Sequence, residues 1–485
     1  MINFRLINKI LGSLLFIEAF LMLWCFVMSI VYRQSDTFAF GVALAVTIAA
    51  GCILRYYGRN ANNMLSRRDS YLVVTLAWCV FSLFGTLPFL VGGFLTNFTD
   101  AFFETMSGFT TTGATIFDDV ERLPRGILFW RSLMQWIGGL GIVFFTIAIL
   151  PSFVGGSVKI FSAEATGPIR TKLHPRLSVN TKALWLIFFV LTLACIVTYR
   201  VLGMNWFDSV NYAMTTCATG GFAPHNDSIL HFQSAGIEYA CIVFCFLGGV
   251  NFTMLYLALI KFQFKKLTQN SEFKCYLWLI IGVTLFIMAA LIVNNGYNVE
   301  RAFRSSLFQT ISTITTTGLF NDDIALWPQI TWIILFGCMF IGACSGSTSS
   351  GWKCIRVVML LKIVRNEFRQ LLHPNAILPL KVNKSNVPMQ QRVRLLALLT
   401  IYLLLFFIAV VLITACGVDF TNALAISMSS MSNVGPSLAI EIGSSISWSE
   451  LPVLVKWLCT ALMLMGRLEI FSVLVIFTHA FWKEN

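Results

Sequence analysis

No CxxC pair and no histidine at metal-ligand spacing accompanies the thirteen cysteines of this 485-residue chain, so neither a zinc site nor a disulfide framework can be read from them. An odd number of cysteines scattered through apolar segments fits buried free thiols. Charge is also scarce: 12 % of residues are Asp, Glu, Lys or Arg, against 57 % hydrophobic. The opening "MINFRLINKILGSLLFIEAFLMLWCFVMSIVY" has no small-residue cleavage site and outruns a signal-peptide core, so it reads as a retained first helix. Runs such as 183–203 and 395–416 lack the alternation of a membrane β-barrel. No nucleophile, acid–base pair or metal motif gathers in the apolar segments, which leaves a membrane enzyme or a receptor-like scaffold as distant readings.

What the sequence has instead is apolar stretches of about 18 residues or more from end to end, long enough to cross a hydrocarbon core. The reading is an all-α polytopic membrane protein. Its net charge of +12 follows from topology. With the N-terminus in the cytoplasm and sides alternating, the segments 1–10, 55–69, 151–182, 261–274, 353–394 and 481–485 hold 25 of the 34 Lys and Arg but 5 of the 22 Asp and Glu. That is the positive-inside pattern, with both termini cytoplasmic and lipid contact for the basic loops, and it removes any need for nucleic acid.

One phrase recurs four times: "TTTGAT" at 110–115, "CATGGF" at 217–222, "TTTGLF" at 315–320 and "SNVGPS" at 432–437. Its glycines, Gly113, Gly220, Gly318 and Gly435, are spaced by 107, 98 and 117 residues. Each copy follows a full apolar segment (70–93, 183–203, 275–294, 395–416) and precedes another (128–150, 236–260, 330–363, 451–479). The stretch leading into each glycine is too short and polar to span: eleven helical residues rise only about 16 Å. The predicted unit is helix, re-entrant pore loop, helix, repeated four times around a central pore. The expected parts are a two-helix peripheral domain (1–69) and repeats at 70–150, 151–262, 263–370 and 371–485.

Non-helical backbone at membrane depth survives only when protein or water covers it, and four such loops can cover one another. Rings of backbone carbonyls from four loops can replace the hydration shell of a potassium ion. Glycine allows the positive φ that turns successive carbonyls to one side, and threonine tolerates the extended backbone. An oxygen-only site of this kind suits a hard cation.

A second column of small residues, "IGGLGI" at 137–142, "LGGVNF" at 247–252, "IGACSG" at 341–346 and "MGRLEI" at 465–470, lies in the second helices. Close helix packing is its ordinary reading. In the fourth copy Arg467 stands where the others carry Gly139, Gly249 and Ala343. Such a charge costs about 2.5–3.5 kcal/mol within a span and faces a partner or a cavity. It either bonds helix-end carbonyls or projects beneath the loops as a barrier to cations, and there the fourfold symmetry is expected to be broken for control.

The run "GACSGSTSSG" (Gly342, Ala343, Cys344, Ser345, Gly346, Ser347, Thr348, Ser349, Ser350, Gly351) should break the third repeat's second helix and line a cavity, its carbonyls helping to hold Arg467. Gly346 and Gly351 have nucleotide-loop spacing, but Trp352 holds the place of the required lysine. Acids predicted on the outer side (Asp100, Asp118, Asp119, Glu121, Asp208, Asp227, Asp322, Asp323, Asp419) read as surface and caps, those nearest the loops also concentrating cations. Glu104 is expected to brace the first loop and Glu18 to snorkel or pair.

These residues resemble the TrkH/KtrB/HKT superfamily of potassium transporters, and the extra N-terminal helix pair is similar to the TrkH branch. The resemblance covers roughly 70–480. It implies a filter of Thr111, Thr112, Gly113, Ala218, Thr219, Gly220, Thr316, Thr317, Gly318, Asn433, Val434 and Gly435, and an intramembrane gate at 342–351 with Arg467. It also implies potassium as the transported ion, a bacterial inner membrane, a homodimer, and a TrkA-like cytosolic ring that carries the NAD and ATP sites. Channel-like flow and sodium- or proton-coupled symport both remain open at this point; no intramembrane chain of carboxylates stands out for the second.

Overall fold

The computed structural model describes residues 2–62, 65–141, 177–376, 378–383, 385–435 and 448–483. Helix α1 (Phe4–Tyr32) starts at Asn3, whose side chain accepts from the Leu6 N–H at 3.1 Å, and packs along α2 (Thr37–Tyr57). Their crossing is tight: a Cβ on Gly12 would stand 2.8 Å from the Gly51 carbonyl oxygen.

The repeats follow. The first has α3 (Arg67–Gly85) with its short continuation α4 (Leu87–Val91), half-helix α5 (Phe98–Phe109) and α6 (Arg125–Leu140). The second has α7 (Leu177–Val201), α8 (Trp206–Ala218), α9 (Ala235–Gly249) and α10 (Phe252–Leu259), then a short α11 (Phe264–Thr268). The third has α12 (Ser271–Asn295), α13 (Val299–Ile314), α14 (Gln329–Ile341) and α15 (Cys354–Leu372). The fourth has α16 (Met389–Ala415), α17 (Phe420–Ser432), α18 (Val453–Arg467) and α19 (Ile470–Leu474). A two-residue antiparallel pairing, Lys381–Val382 with Ser385–Asn386, interrupts the helical pattern between α15 and α16.

Among the described residues six helices are long and apolar enough to cross a membrane, and up to eight spans result if each of two sharply bent pairs is counted as one. The half-helices α5, α8, α13 and α17 are 12 to 16 residues long, too short to cross at about 1.5 Å per residue. Asn97, Asn205 and Asp419 cap three of them by accepting from backbone N–H groups of the first turn.

The packing is cyclic. The second helix of each repeat lies against the half-helix of the next: α6 on α8, α9 on α13, α14 on α17, and α18 back on α5. The polar half-helix ends divide the apolar core. One large cluster joins the N-terminal pair with the first and fourth repeats and takes in Met339, Trp352, Ile355 and Met359 of the third, and another joins the second and third.

The second helices differ from the uninterrupted spans expected. Only the third was predicted to break, yet α9 and α10 meet at 109° and α18 and the segment from Ile470 at 112°. The expected 128–150 segment ends its helix at Leu140; residues 142–150, most of the 151–182 loop, and Pro436 and Ser437 of the fourth phrase lie outside the described residues. Glu18 does not snorkel. It is fully buried, and neither carboxylate oxygen has a hydrogen-bond partner among the described residues.

Candidate functional site

All four half-helices end alike. Thr111, Thr219, Thr316 and Asn433 are left-handed, at φ 56, 54, 58 and 56°. The next residue's N–H returns to the carbonyl five places back: Thr112 to Ser107 at 2.9 Å, Gly220 to Thr215 at 2.9 Å, Thr317 to Ser312 at 2.8 Å, Val434 to Ser429 at 3.0 Å. This is a Schellman ending, which normally places glycine in the left-handed position. Here β-branched threonine takes it three times, at about 1–2 kcal/mol each. The residue after that is a glycine at positive φ: Gly113 at 87°, Gly221 at 87°, Gly318 at 77° and Gly435 at 90°.

The register of the second copy is therefore shifted by one. Gly221, not Gly220, corresponds to Gly113, Gly318 and Gly435, and Thr219 and Gly220 take the places expected of Ala218 and Thr219. Two adjacent glycines left the phrase ambiguous as text; the left-handed residue and the returning N–H resolve it.

The four loops form one ring. A Cβ on Gly113 would meet the Gly220 carbonyl oxygen, one on Gly221 the Thr317 carbonyl, and one on Gly435 the Thr112 carbonyl. Gly113, Gly221, Gly318 and Gly435 all line a single cavity of about 70 Å³.

Buried polar groups brace the ring. Gln135 of α6 donates to the Gly220 carbonyl at 2.7 Å and accepts from the Phe222 N–H at 3.0 Å. It also fills the space where Gly220 has no side chain, so the departure of the second copy from the threonine pattern has a cause in the first repeat. Glu104 braces the first loop, as expected, accepting from the Ile116 N–H at 2.9 Å and pairing with Arg131 at 2.8 Å. Arg131 reaches on to the Ala223 carbonyl at 3.2 Å and so ties the first two loops together. Thr110 with Thr112, and Thr315 with Thr317, pair hydroxyls at 2.8 and 2.7 Å.

On the helix side of the ring, the small-residue column lies where the second helices break. Gly138 abuts the carbonyl of Phe109 and Gly466 that of Met431, so larger residues would collide with half-helix ends. Arg467 fans out from the end of α18. One guanidinium nitrogen donates to the Thr348 carbonyl at 2.9 Å and the Ser350 hydroxyl at 3.0 Å; the other reaches the Gly138 and Gly139 carbonyls at 2.5 and 2.6 Å. The helix-end carbonyls and the third-repeat loop thus hold it jointly.

The 342–351 segment is a loop between α14 and α15, as expected, and is anchored from all sides. Ser345 donates its N–H and hydroxyl to Glu272 at 2.6 and 2.9 Å. Asn251, at the bend of the second repeat, donates to the Ser345 carbonyl at 2.5 Å. Thr348 donates to the carbonyls of Cys217 and Gly248, at 3.0 and 3.1 Å, and the Ser350 N–H donates to the Thr316 hydroxyl at 2.9 Å. The loop therefore docks directly on a ring residue. Two buried basic side chains stand near Arg467: Lys353 donates to the Ser349 carbonyl, and Arg356 pairs with Glu469 at 2.5 Å. A cavity of about 50 Å³ is lined by Ser349, Ser350, Lys353, Arg467 and Glu469.

Sequence reasoning missed Gly221, Gln135, Asn251, Glu272, Lys353, Arg356 and Glu469 as parts of this constellation. Their polar character inside apolar segments was a usable signal for Gln135 and Glu272. For Asn251, Arg356 and Glu469, partners distant in sequence left nothing local to read.

On the opposite side of the ring, Asp118, Arg131, His225 and Asn226 line the 70 Å³ cavity together with the four glycines. The hydrogen bond to the Asp208 carboxylate raises His225 above the ordinary imidazole pKa.

This geometry, four quasi-equivalent loops on one axis, has a counterpart among known families. The TrkH family model, described as a cation transport protein, matches residues 36–484. The chain belongs to the TrkH family. Within it, the chain is 36 % identical over 484 residues to the Trk system potassium uptake protein TrkH of Halomonas elongata, covering 99 % of this chain and all of that one. The Escherichia coli K12 protein of the same name is 35 % identical over 489 residues, again covering 99 % and 100 %. The crystal structure of the potassium transporter TrkH from Vibrio parahaemolyticus superposes with a TM-score of 0.90 at 32 % identity, over 99 % of this chain and 100 % of that one. These TrkH relatives are named for transport and none for an enzymatic reaction. The four-repeat membrane architecture is thus that of a TrkH protein.

Proposed function

We propose that this TrkH-family chain is the pore of a potassium uptake system in a bacterial inner membrane, with rubidium as a second permeant ion. The filter is Thr111, Thr112 and Gly113, Thr219, Gly220 and Gly221, Thr316, Thr317 and Gly318, and Asn433, Val434 and Gly435. The observation that carries this reading is the fourfold recurrence of one strained half-helix ending around a single cavity. Residues held in sparsely populated conformations concentrate at working sites. Four copies of one such ending are costly for packing alone and suit a ring of oxygens for a hard cation.

Below the filter, the 342–351 loop and Arg467 form the gate. Arg467 places a fixed positive charge beside the loop, and a cation leaving the ring meets it across low-dielectric surroundings. Opening requires the loop to release Thr316, Glu272 and Asn251 together, and with them its hold on Arg467. A cytosolic TrkA-like ring that binds NAD and ATP is the natural source of that work, acting on the basic inner loops. The functional unit is a homodimer with both termini in the cytoplasm, each chain made of the helix pair 1–69 and repeats starting at 70, 151, 263 and 371. The relatives, potassium uptake proteins by name, supply the ion.

Rubidium and sodium flux in proteoliposomes, with one ion gradient imposed at a time, tests the proposal. Rubidium uptake driven by its own gradient is expected. An absolute requirement for sodium or protons overturns the channel-like mechanism in favour of coupled symport, and equal passage of sodium overturns the filter.

A further inference from the structure

We infer that Glu121, His225 and His231 form a binding site for a zinc-class divalent metal ion at the mouth of the ring. The ligand-capable atoms of the three side chains all lie within 4.8 Å of one another. Donors about 2 Å from a tetrahedral zinc stand about 3.3 Å apart, so modest rotation of two exposed side chains closes the site. One such contact is already in place, His225 Nδ1 to Glu121 Oε1 at 3.2 Å.

Two further observations mark the cluster as built, although the imidazoles stand face to face, with centroids 3.7 Å apart and planes 5° off parallel, so that the exposed His231 must turn out of the stack to bring its ring nitrogen and the ion into one plane. The other nitrogen of His225, Nε2, lies 3.2 Å from Asp208 Oδ2; a carboxylate on the far nitrogen fixes the tautomer and orientation of a metal-ligating histidine. Asp208 is itself buried and held by Asn205 at 2.6 Å. Finally, the two loops that supply the ligands are tied together. Asn226 accepts from the Val120 N–H at 2.9 Å and donates to Asp119 at 3.0 Å, and Tyr212 anchors the turn carrying His231 through the Ser228 carbonyl at 2.8 Å.

Two imidazole nitrogens and one carboxylate suit zinc, cobalt(II) or nickel(II) rather than magnesium or calcium, and leave one position for water. Because His225 lines the cavity of the four glycines, a bound dication neutralises Glu121 and adds positive charge where cations enter. It should therefore slow uptake. That consequence rests on the pore reading proposed above; binding itself does not.

The test uses the full chain, purified in detergent and reconstituted. Equilibrium dialysis with radioactive zinc is expected to give one ion per chain, and cobalt(II) a visible tetrahedral absorption band. His231→Ala and Glu121→Gln should abolish both, with melting temperature as the check on folding, and Asp208→Asn should weaken binding about tenfold. His373→Ala, at an exposed distant histidine, should leave binding unchanged. Zinc added on the ring-mouth side should slow rubidium flux in the wild type but not in His231→Ala. Absence of bound zinc, or binding indifferent to His231→Ala, overturns the site. Zinc bound as expected with rubidium flux unaltered supports the site and overturns the placing of this cavity on the ion path.

Discussion

At the residue scale, Gly220 and Gly221 are adjacent yet do different work. Gly221 has φ +87° and faces the Thr317 carbonyl, so no side chain fits it; at Gly220 the nearest obstacle to a Cβ is the Gln135 side chain, its own Cβ 2.9 Å away. Gly221→Ala should therefore abolish discrimination between rubidium and sodium however it is combined, whereas part of the damage of Gly220→Ala should be relieved by Gln135→Gly, which removes that Cβ as well as the amide. Flux ratios of the two singles and the double measure this, and relief of Gly221→Ala by Gln135→Gly would return the register to Gly220. Arg467 argues in the same way from its partners. Its described hydrogen bonds end on the Thr348, Gly138 and Gly139 carbonyls and the Ser350 hydroxyl, and a buried group among them left without any partner costs about 1–3 kcal/mol. Arg467→Ala should lower the melting temperature and raise resting rubidium flux, and Arg467→Lys should keep the charge but not the two-sided fork. Unchanged resting flux in the alanine variant would remove the arginine from the gate.

At the scale of elements, the sequence carried the four helix, half-helix and helix units, the third-repeat break and the hold of that loop on Arg467, because each is signalled locally by polar or small residues inside apolar runs. The bends after α9 and α18 were not legible. They fall at "VN" and "LE", just after the small residues Gly248, Gly249 and Gly466 that read as close helix packing, and they are stabilised by partners such as Ser345 for Asn251 and Arg356 for Glu469, 94 and 113 residues away. Those distant contacts explain why the 342–351 loop is a docked element rather than a loose one. Glu272 carries two of its hydrogen bonds from the first turn of α12. Glu272→Ala should raise hydrogen exchange at the amides of 343–350 and resting rubidium flux together, while α12 itself stays protected. Faster exchange without added flux would separate the loop from gating.

At the scale of the whole molecule, a single chain must close a fourfold ring whose last member packs on its first. Three of the contacts join repeats consecutive in sequence; the fourth, α18 on α5, brings together segments more than 300 residues apart, and it carries a buried charge. Lys456 Nζ pairs with Asp100 at 2.7 Å and also donates to the Ser449 carbonyl at 2.8 Å. Forming this contact closes a loop of 356 residues, at an entropic cost that grows only slowly with its length. An apolar contact of equal area would allow α18 to slide along α5, whereas an ion pair with an added carbonyl fixes the register at which Gly435 meets Thr112. Breaking one partner of a buried pair costs about 3–5 kcal/mol, while replacing both with apolar residues is often neutral. Lys456→Met alone should therefore lower the melting temperature sharply, and Lys456→Met with Asp100→Leu should recover most of it. If the pair sets register, the recovered double variant should still pass sodium along with rubidium, because its fourth loop no longer sits squarely in the ring. A double variant restored in both stability and selectivity would reduce the pair to an ordinary packing contact.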